Sequence, residues 1–297
     1  TACMRVKTHA IHASAAILSL LWVSADAEPP TQIPTAIESA TSEEFPVQVN
    51  GATLTVRVLT PPADKLAHNP ALLLAFAMDR NTTLTKRPYC LAAEFFLENG
   101  HRAASFDLPA HGDRIGAQRS GIDGFRDAFV AGNDVFAGFV VEGKAVVDEC
   151  IKHGLAAPGR IAVGGTSRGG YMSLRLLAGD DRIVAGAGFA PVTDWRDLRE
   201  FTEDKTRDDV AALQLSNFVP GMIGKKVFVA IGKTDERVST AKCRAFIEAL
   251  VKANSAANKP ADTVEFHMTD DAGHSLGDAW YEKGRAFLLK SVTGVSP

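Results

Sequence analysis

The stretch of sequence that decides the fold is Arg160-Ile161-Ala162-Val163-Gly164-Gly165-Thr166-Ser167-Arg168-Gly169-Gly170-Tyr171-Met172. It begins as a short apolar run, continues with spacing typical of a helix, and carries Gly-x-Ser-x-Gly between the two. In a tight turn from strand to helix, the hydroxyl of Ser167 stands clear of the chain and the next backbone N–H faces the same space. Gly165 and Gly169 lie where side chains would block the close crossing of strand and helix. The pattern therefore makes Ser167 a candidate nucleophile.

Short apolar runs alternate with helical stretches along most of the chain. The runs are Ala71–Ala77, Arg102–Phe106, Ile161–Gly165, Ile183–Phe189, Lys226–Ile231 and Thr263–Met268. The predicted helices are Cys90–Asn99, Asp134–His153, Arg168–Ala178, Thr240–Ala253 and Ala279–Lys290. Strands buried on both faces lose polar alternation, and strands separated by helices pair in parallel through crossovers. The sequence therefore predicts an α/β fold with a mostly parallel central sheet and helices on both faces.

The segments outside these runs and helices indicate how the chain is divided into a leader, a domain and two inserts. Residues 28–50 are expected to form a leader, because their first part is rich in Pro, Thr and Ser and lacks periodicity. One α/β domain is predicted over residues 51–297, starting with a peripheral, antiparallel strand at Thr53–Leu59 that alternates apolar and polar residues. Inserts near residues 112–133 and 195–224 exceed what simple crossovers need, and inserts of this kind usually shape a pocket.

The N-terminal segment, residues 4–27, has the form of a secretory signal peptide. Arg5 and Lys7 give a basic start, Ile11–Val23 is mostly apolar, and Ala25-Asp26-Ala27 has the small-x-small form of a cleavage site. The alternatives are an amphipathic helix or a membrane anchor, but the apolar run is shorter than the ~20 residues that span a bilayer. We therefore expect a secreted or periplasmic protein with no stable membrane insertion after cleavage.

Composition narrows the choice of partners. The chain has 297 residues, 46% of them hydrophobic, and a formal net charge of -3. Its Lys and Arg residues are scattered, which argues against a nucleic-acid partner. Beyond the signal, Cys90, Cys150 and Cys243 allow at most one disulfide and are most simply explained as buried structural residues. Since no Cys-x-x-Cys or zinc-spaced histidine pair occurs, no metal or cofactor is expected.

A serine nucleophile needs a base and an acid that orients the base. In an α/β sheet with this turn, the partners follow the serine in the order acid, then histidine, each at the end of a strand. Asp235 comes directly after the run Lys226–Ile231, and His274 lies in a glycine-flanked loop after Thr263–Met268. We predict that Ser167, His274 and Asp235 form a catalytic triad.

The tetrahedral intermediate of such a reaction needs two N–H donors for its oxyanion. One should be the backbone N–H of Arg168, which follows the nucleophile, and the other the N–H of Met78 or Ala77, after an earlier strand. The turn Asp107-Leu108-Pro109-Ala110-His111-Gly112 also follows a strand. His111 could suggest a metal ligand together with Asp113, but we interpret the turn as one that packs and orients a loop near the site.

Taken together, these motifs resemble the α/β-hydrolase superfamily, and within it the prolyl-oligopeptidase-like and dienelactone-hydrolase-like serine hydrolases. The resemblance covers about Thr53 to Lys290 and also includes Phe189-Ala190-Pro191-Val192-Thr193-Asp194 after a strand. The usual His-Gly dipeptide of the early oxyanion loop is replaced by Ala75-Phe76-Ala77-Met78-Asp79-Arg80. Only 52 residues precede the first domain strand at Thr53, too few for a propeller, and the nucleophile is Ser167 where dienelactone hydrolases have Cys.

The resemblance implies a serine hydrolase that cleaves carboxylic esters through an acyl-enzyme, and the signal pattern of residues 4–27 implies that it is exported. One alternative is a small serine exopeptidase or acyl-peptide hydrolase. Another is a non-catalytic binding protein of the same fold, although such proteins usually lack a triad member.

Overall fold

The structure is a computed structural model that describes residues 33–116 and 119–294. The expected signal peptide at residues 4–27 and the start of the leader, residues 28–32, lie outside the described residues.

An eight-stranded sheet forms the centre of the described chain. Its strands are β1 (Thr41–Val49), β2 (Ala52–Thr60), β3 (Leu72–Phe76), β4 (Arg102–Phe106), β5 (Ile161–Thr166), β6 (Ile183–Phe189), β7 (Lys226–Gly232) and β8 (Val264–Thr269). They lie in the order β1-β2-β4-β3-β5-β6-β7-β8. The pairs β1–β2 and β2–β4 are antiparallel, and all later pairs are parallel. The mostly parallel sheet predicted from the sequence is confirmed.

Helices cover both faces of this sheet. They are α1 (Thr35–Glu38), α2 (Arg80–Thr85), α3 (Leu91–Glu98), α4 (Gly121–Val130), α5 (Val135–Lys152), α6 (Arg168–Gly179), α7 (Asp208–Ala212), α8 (Thr240–Ala256) and α9 (Asp278–Thr293). One apolar core lies between the sheet and α4, α5, α6 and α8, and a second lies against α3 and α9. Within residues 33–116 and 119–294, no helix has the length and apolar character to cross a bilayer. Cys90, Cys150 and Cys243 are buried, as expected, and the thiols of all three are free.

Residues 35–49 are more ordered than the leader predicted for residues 28–50. They form α1 and β1, and β1 pairs with β2 along nine residues. Most side chains of β1 are exposed, and only Val47 and Val49 are buried. Because main-chain pairing rather than side-chain burial holds this edge strand, its apolar pattern is too weak to predict it. The leader boundary was therefore wrong, and β1 is part of the α/β domain.

The two predicted inserts pack together over the carboxyl ends of the strands. The first contains α4, and the second contains α7 and several 3₁₀ turns. Trp195 of the second insert packs against Phe125 of α4, Phe136 of α5 and Tyr171 of α6, at ring distances of 4.7–5.6 Å. An ion pair between Arg126 and Asp204, 2.6 Å long, joins the inserts at their rim. These contacts fix the inserts to the helix that follows the serine.

The turn after β4 is tied to the same helix through His111. Its ring Nδ1 lies 2.8 Å from the carbonyl oxygen of Pro109, and its Nε2 accepts a hydrogen bond of 3.0 Å from Nε of Arg168. Since both ring nitrogens are used this way, the imidazole is neutral and protonated on Nδ1. Burial, followed by the charge of Arg168, lowers the pKa of His111 to about 4. This is the loop-orienting role predicted for the turn.

The depressed pKa of His111 predicts an acid-sensitive fold. An unfolded histidine has a pKa near ~6.5, so the unfolded chain binds the extra proton first and the free energy of unfolding falls as pH drops from about 6.5 toward 4. Replacement of His111 by Gln removes this titration. Between about pH 7 and pH 4.5, we expect the variant to lose about 2 kcal/mol less stability than the wild type, as measured by urea unfolding.

The exposed His68 provides the matched control for this measurement. His68→Gln should lose as much stability as the wild type over the same pH range. If His111→Gln and the wild type lost the same free energy of unfolding over this pH range, the assignment of a neutral imidazole to His111 would be contradicted.

Candidate active site

Ser167 lies on the sharp turn between β5 and α6. Its backbone has φ 55° and ψ −118°, a region that residues other than glycine rarely adopt. Its N–H donates to the carbonyl of Phe189, 2.9 Å away, and its own carbonyl accepts from the N–H groups of Tyr171 and Val192, both at 3.1 Å. These main-chain bonds to β6, its following loop and α6 hold the strained turn and present the hydroxyl.

The glycines of the turn are required by close contact with β3. A Cβ added to Gly165 or Gly169 would collide with the carbonyl oxygen of Phe76 at the end of β3, and at Gly165 also with the backbone of α6. Both positions therefore exclude larger residues, as the sequence analysis predicted. The close crossing places the start of α6 beside the loop that follows β3.

The structure brings all three predicted triad residues together. Ser167 follows β5, Asp235 follows β7 and His274 follows β8, so three loops meet at the carboxyl edge of the sheet. Nε2 of His274 lies 2.9 Å from Oγ of Ser167, and Nδ1 lies 2.8 Å from Oδ2 of Asp235. This geometry lets the imidazole accept the serine proton while the carboxylate holds Nδ1–H.

Asp235 is fixed by its own loop. Its side chain is fully buried, and Oδ1 accepts hydrogen bonds from the backbone N–H groups of Arg237 (3.0 Å) and Val238 (3.2 Å). One carboxylate oxygen is therefore occupied by the backbone, and the other faces the histidine. The arrangement orients His274 with its Nε2 toward the serine.

A cavity of about 540 Å³ opens in front of Ser167 and His274. Its wall includes the predicted residues Ala77, Met78 and Arg168. Further lining residues, which sequence reasoning did not single out, are Arg87, Pro88, Tyr89, Ile122, Thr166, Arg237, Ser275, Leu276, Asp278 and Tyr281. Most come from loops and helices far apart in sequence, so no local motif identifies them. The exceptions are Thr166, Arg237, Ser275 and Leu276, which lie within two residues of Ser167, Asp235 or His274.

The two predicted oxyanion donors have different surroundings. Arg168 is the first residue of α6, so its N–H has no carbonyl partner one turn earlier in the helix. The N–H of Met78 donates to Oγ1 of Thr83 at 3.3 Å, and the N–H of Ala77 donates to the same oxygen at 3.2 Å. The structure thus places Met78 in the cavity wall with its N–H engaged in a long hydrogen bond.

Most charged groups of the cavity wall are already paired. Arg237 forms a two-pronged ion pair with Glu200 of the second insert, at 2.7 and 2.8 Å. Burial opposes ionisation of Glu200, but the hydrogen bonds and charge of Arg237 outweigh it and lower the pKa of the carboxyl. Arg87 pairs with Asp278 at 3.2 Å and with Glu94 at 3.3 Å. Among the described residues, no group of three or more His, Cys, Asp or Glu side chains has the geometry of a metal site.

Solved structures share this fold at low sequence identity. TT1662 from Thermus thermophilus is 21% identical with a TM-score of 0.65, over 86% of this chain and 98% of that chain. Acetyl xylan esterase 1 from Thermoanaerobacterium is 15% identical with a TM-score of 0.62, over 86% and 85%. Dipeptidyl peptidase 4 from Porphyromonas gingivalis is 19% identical with a TM-score of 0.59, over 85% and 36%. These likenesses confirm the predicted α/β-hydrolase fold.

The sequence itself identifies the family. No match to the chain was found among curated protein sequences. The profile of the prolyl oligopeptidase family, Peptidase_S9, matches residues 142–293, which is just over half of the chain and includes Ser167, Asp235 and His274. The chain therefore belongs to the prolyl oligopeptidase family of serine hydrolases.

Proposed function

We propose that the protein is an exported serine carboxylesterase that acts on small esters. The observation that carries this proposal is the continuous hydrogen-bonded chain from Oγ of Ser167 through His274 to Asp235, at the wall of a cavity of about 540 Å³. The position of Nε2 of His274 against Oγ of Ser167 is that of a general base for the serine hydroxyl.

Acylation follows from these contacts. Nε2 of His274 takes the proton of Ser167 as Oγ attacks the ester carbonyl carbon, and Oδ2 of Asp235 stabilises the imidazolium that forms. When the tetrahedral intermediate collapses, the bond from carbon to the alcohol oxygen breaks and the imidazolium donates its proton to that oxygen. A water molecule then attacks the acyl-enzyme with His274 again as base, and the acid and free Ser167 are released.

The oxyanion of both intermediates lies next to the start of α6. The N–H of Arg168 is the first donor, because the turn at Ser167 aims it at the attacked carbonyl. The N–H of Met78 is the proposed second donor, since its 3.3 Å bond to Thr83 is longer than most hydrogen bonds and an oxyanion is the stronger acceptor.

The charges of the cavity favour an ester over a peptide with a free amino terminus. Recognition of an ammonium group requires an unpaired carboxylate in the cavity. Among the described residues that line the cavity, Asp278 is the only acid. Its carboxylate is paired with Arg87. Arg168 lines the same cavity and forms no ion pair with an acid of the described residues, which disfavours a cationic substrate. Esterases occur among proteins of similar structure, including acetyl xylan esterase 1.

Removal of the nucleophile tests the reaction directly. Ser167→Ala should abolish hydrolysis of 4-nitrophenyl acetate and labelling by a fluorophosphonate probe, because no other hydroxyl takes its place against His274. Circular dichroism should show an unchanged fold. Undiminished turnover in the variant would exclude the proposed mechanism, and absence of labelling in the wild type would favour a non-catalytic binding protein.

The choice between ester and peptide is tested with a matched pair of substrates. The wild type should hydrolyse the 4-nitrophenyl ester of N-acetyl-alanine, and its activity on N-acetyl-alanine 4-nitroanilide should stay at background. Cleavage of alanine 4-nitroanilide with a free amino group would instead support an exopeptidase.

The acid of the triad gives a quantitative test. In Asp235→Asn, the amide oxygen can keep the backbone hydrogen bonds of Arg237 and Val238, which turns the NH₂ group toward Nδ1 of His274. Nδ1 must then accept, Nε2 carries the proton, and the serine loses its base. We expect kcat for 4-nitrophenyl acetate to fall by roughly 10⁴-fold.

Asp270 is the matched control for this variant, because it lies in the His274 loop but pairs with Lys233, 2.6 Å away. Asp270→Asn should keep kcat within about threefold of the wild type, as expected for an exposed ion pair. A similar loss in both variants would mean that the substitution disturbs the loop rather than the triad.

The signal pattern of residues 4–27 supports export. Expressed in a Gram-negative host from Met4, the protein should be recovered outside the cytoplasm with a mass corresponding to a first residue near Glu28. Ala27→Arg should prevent processing, since the cleavage site requires a small residue there. Recovery of unprocessed wild type in the cytoplasm would contradict export.

A further inference from the structure

One cation in the cavity wall has no counter-charge. Arg168 uses Nε to bind His111, a neutral imidazole, and both terminal nitrogens Nη1 and Nη2 are without a hydrogen-bond partner in the described part of the chain. No carboxylate of residues 33–116 or 119–294 lies within ion-pair distance of this guanidinium. The nearby Glu200 is already bound on both oxygens by Arg237.

The environment of Arg168 makes an unpaired charge unfavourable. The side chain is partly buried, and burial lowers the pKa of its guanidinium, although an arginine remains protonated at neutral pH. A desolvated cation is normally compensated by an acid with suitable geometry. His111 fixes the direction of the guanidinium without neutralising it, and the turn after β4 holds His111 in place.

The guanidinium of Arg168 lies where it can contact the substrate. Arg168 lines the same cavity as Ser167 and His274 and immediately follows the nucleophile in sequence. A planar guanidinium with two free Nη groups matches the two oxygens of a carboxylate. Arg87 and Arg237 have equivalent groups, but acids of the protein occupy them.

We propose that Arg168 binds a carboxylate of the substrate, so that the preferred esters are acidic ones. The inference rests on the proposed esterase function and specifies its substrate class. The carboxylate belongs either to the acyl part, as in a half-ester of a dicarboxylic acid, or to the alcohol part, as in an ester of a hydroxy acid. The recognition chemistry is the same in both cases.

Two matched substrate pairs test the proposal. For the acyl part, mono(4-nitrophenyl) adipate is compared with its neutral methyl ester, and for the alcohol part, 4-acetoxybenzoate is compared with methyl 4-acetoxybenzoate. The wild type should prefer the acid in at least one pair, by about tenfold or more in kcat/KM, mainly through a lower KM. Equal rates in both pairs would overturn the inference. Failure to hydrolyse any of the four esters would instead contradict the esterase function.

The variant Arg168→Gln removes the charge and keeps the backbone N–H that faces the oxyanion. The preference for the acid over its neutral partner should fall about 10- to 100-fold. The control Arg119→Gln removes an exposed cation that lies outside the cavity wall and is paired with Asp123 and Asp127, and its preference should stay within about threefold of the wild type.

The ratio of kcat/KM for the acid to kcat/KM for its neutral partner also distinguishes substrate binding from a general effect on catalysis. A loss that is equal for acidic and neutral esters in Arg168→Gln would mean that the charge stabilises the oxyanion or the fold, and it would overturn the proposal. If Arg168→Gln does not fold, as judged by circular dichroism, Arg168→Lys keeps a cation without the planar fork. It should retain a reduced preference for the acid, and an undiminished preference would contradict two-pronged binding.

Discussion

The site depends on one strained residue, Ser167, whose backbone has a positive φ on a tight turn. A conformation of this kind costs of order 1–3 kcal/mol and persists only where neighbouring structure enforces it. Here β6 and the loop after it bind the N–H and carbonyl of Ser167, while α6 adds a further bond. The constraint extends outward, because Gly165 and Gly169 must stay small for Phe76 of β3 to approach. Sheet, helix and oxyanion loop are therefore positioned by the same turn that exposes the hydroxyl.

Much of the fold could be predicted because its central strands are buried on both faces. Continuous apolar runs located β4 and β6 at their observed bounds and β3 within one residue at each end. The elements that were missed have weaker patterns. The edge strand β1 buries few side chains, and four of the six residues of α2, one Asn and three Thr, are poor helix formers that follow the capping side chain of Asp79. Pairing and capping, rather than periodicity, form these two elements.

The candidate site likewise has one part that the sequence predicts and another that it does not. The serine turn, its acid and its histidine follow a fixed order at the ends of strands, so the sequence is enough to place them next to one another. The cavity charges depend on contacts that no local pattern contains. Arg168 meets His111 across 57 positions, and Arg237 meets Glu200 across 37. These pairings exist because the inserts fold back over the sheet, which composition and spacing do not predict.

The binding of Arg168 to His111 determines the charge that the cavity presents to a substrate. A carboxylate at position 111 would orient the guanidinium equally well and stabilise it more, but it would also neutralise its charge. An imidazole whose pKa is lowered to about 4 orients the side chain and leaves the full charge facing the cavity at neutral pH. Arg87 and Arg237 show the other outcome, since acids hold both in place and cancel their fields. Because Arg168 is bound by a neutral acceptor and the other two arginines by acids, the positive potential of the cavity is concentrated next to the nucleophile.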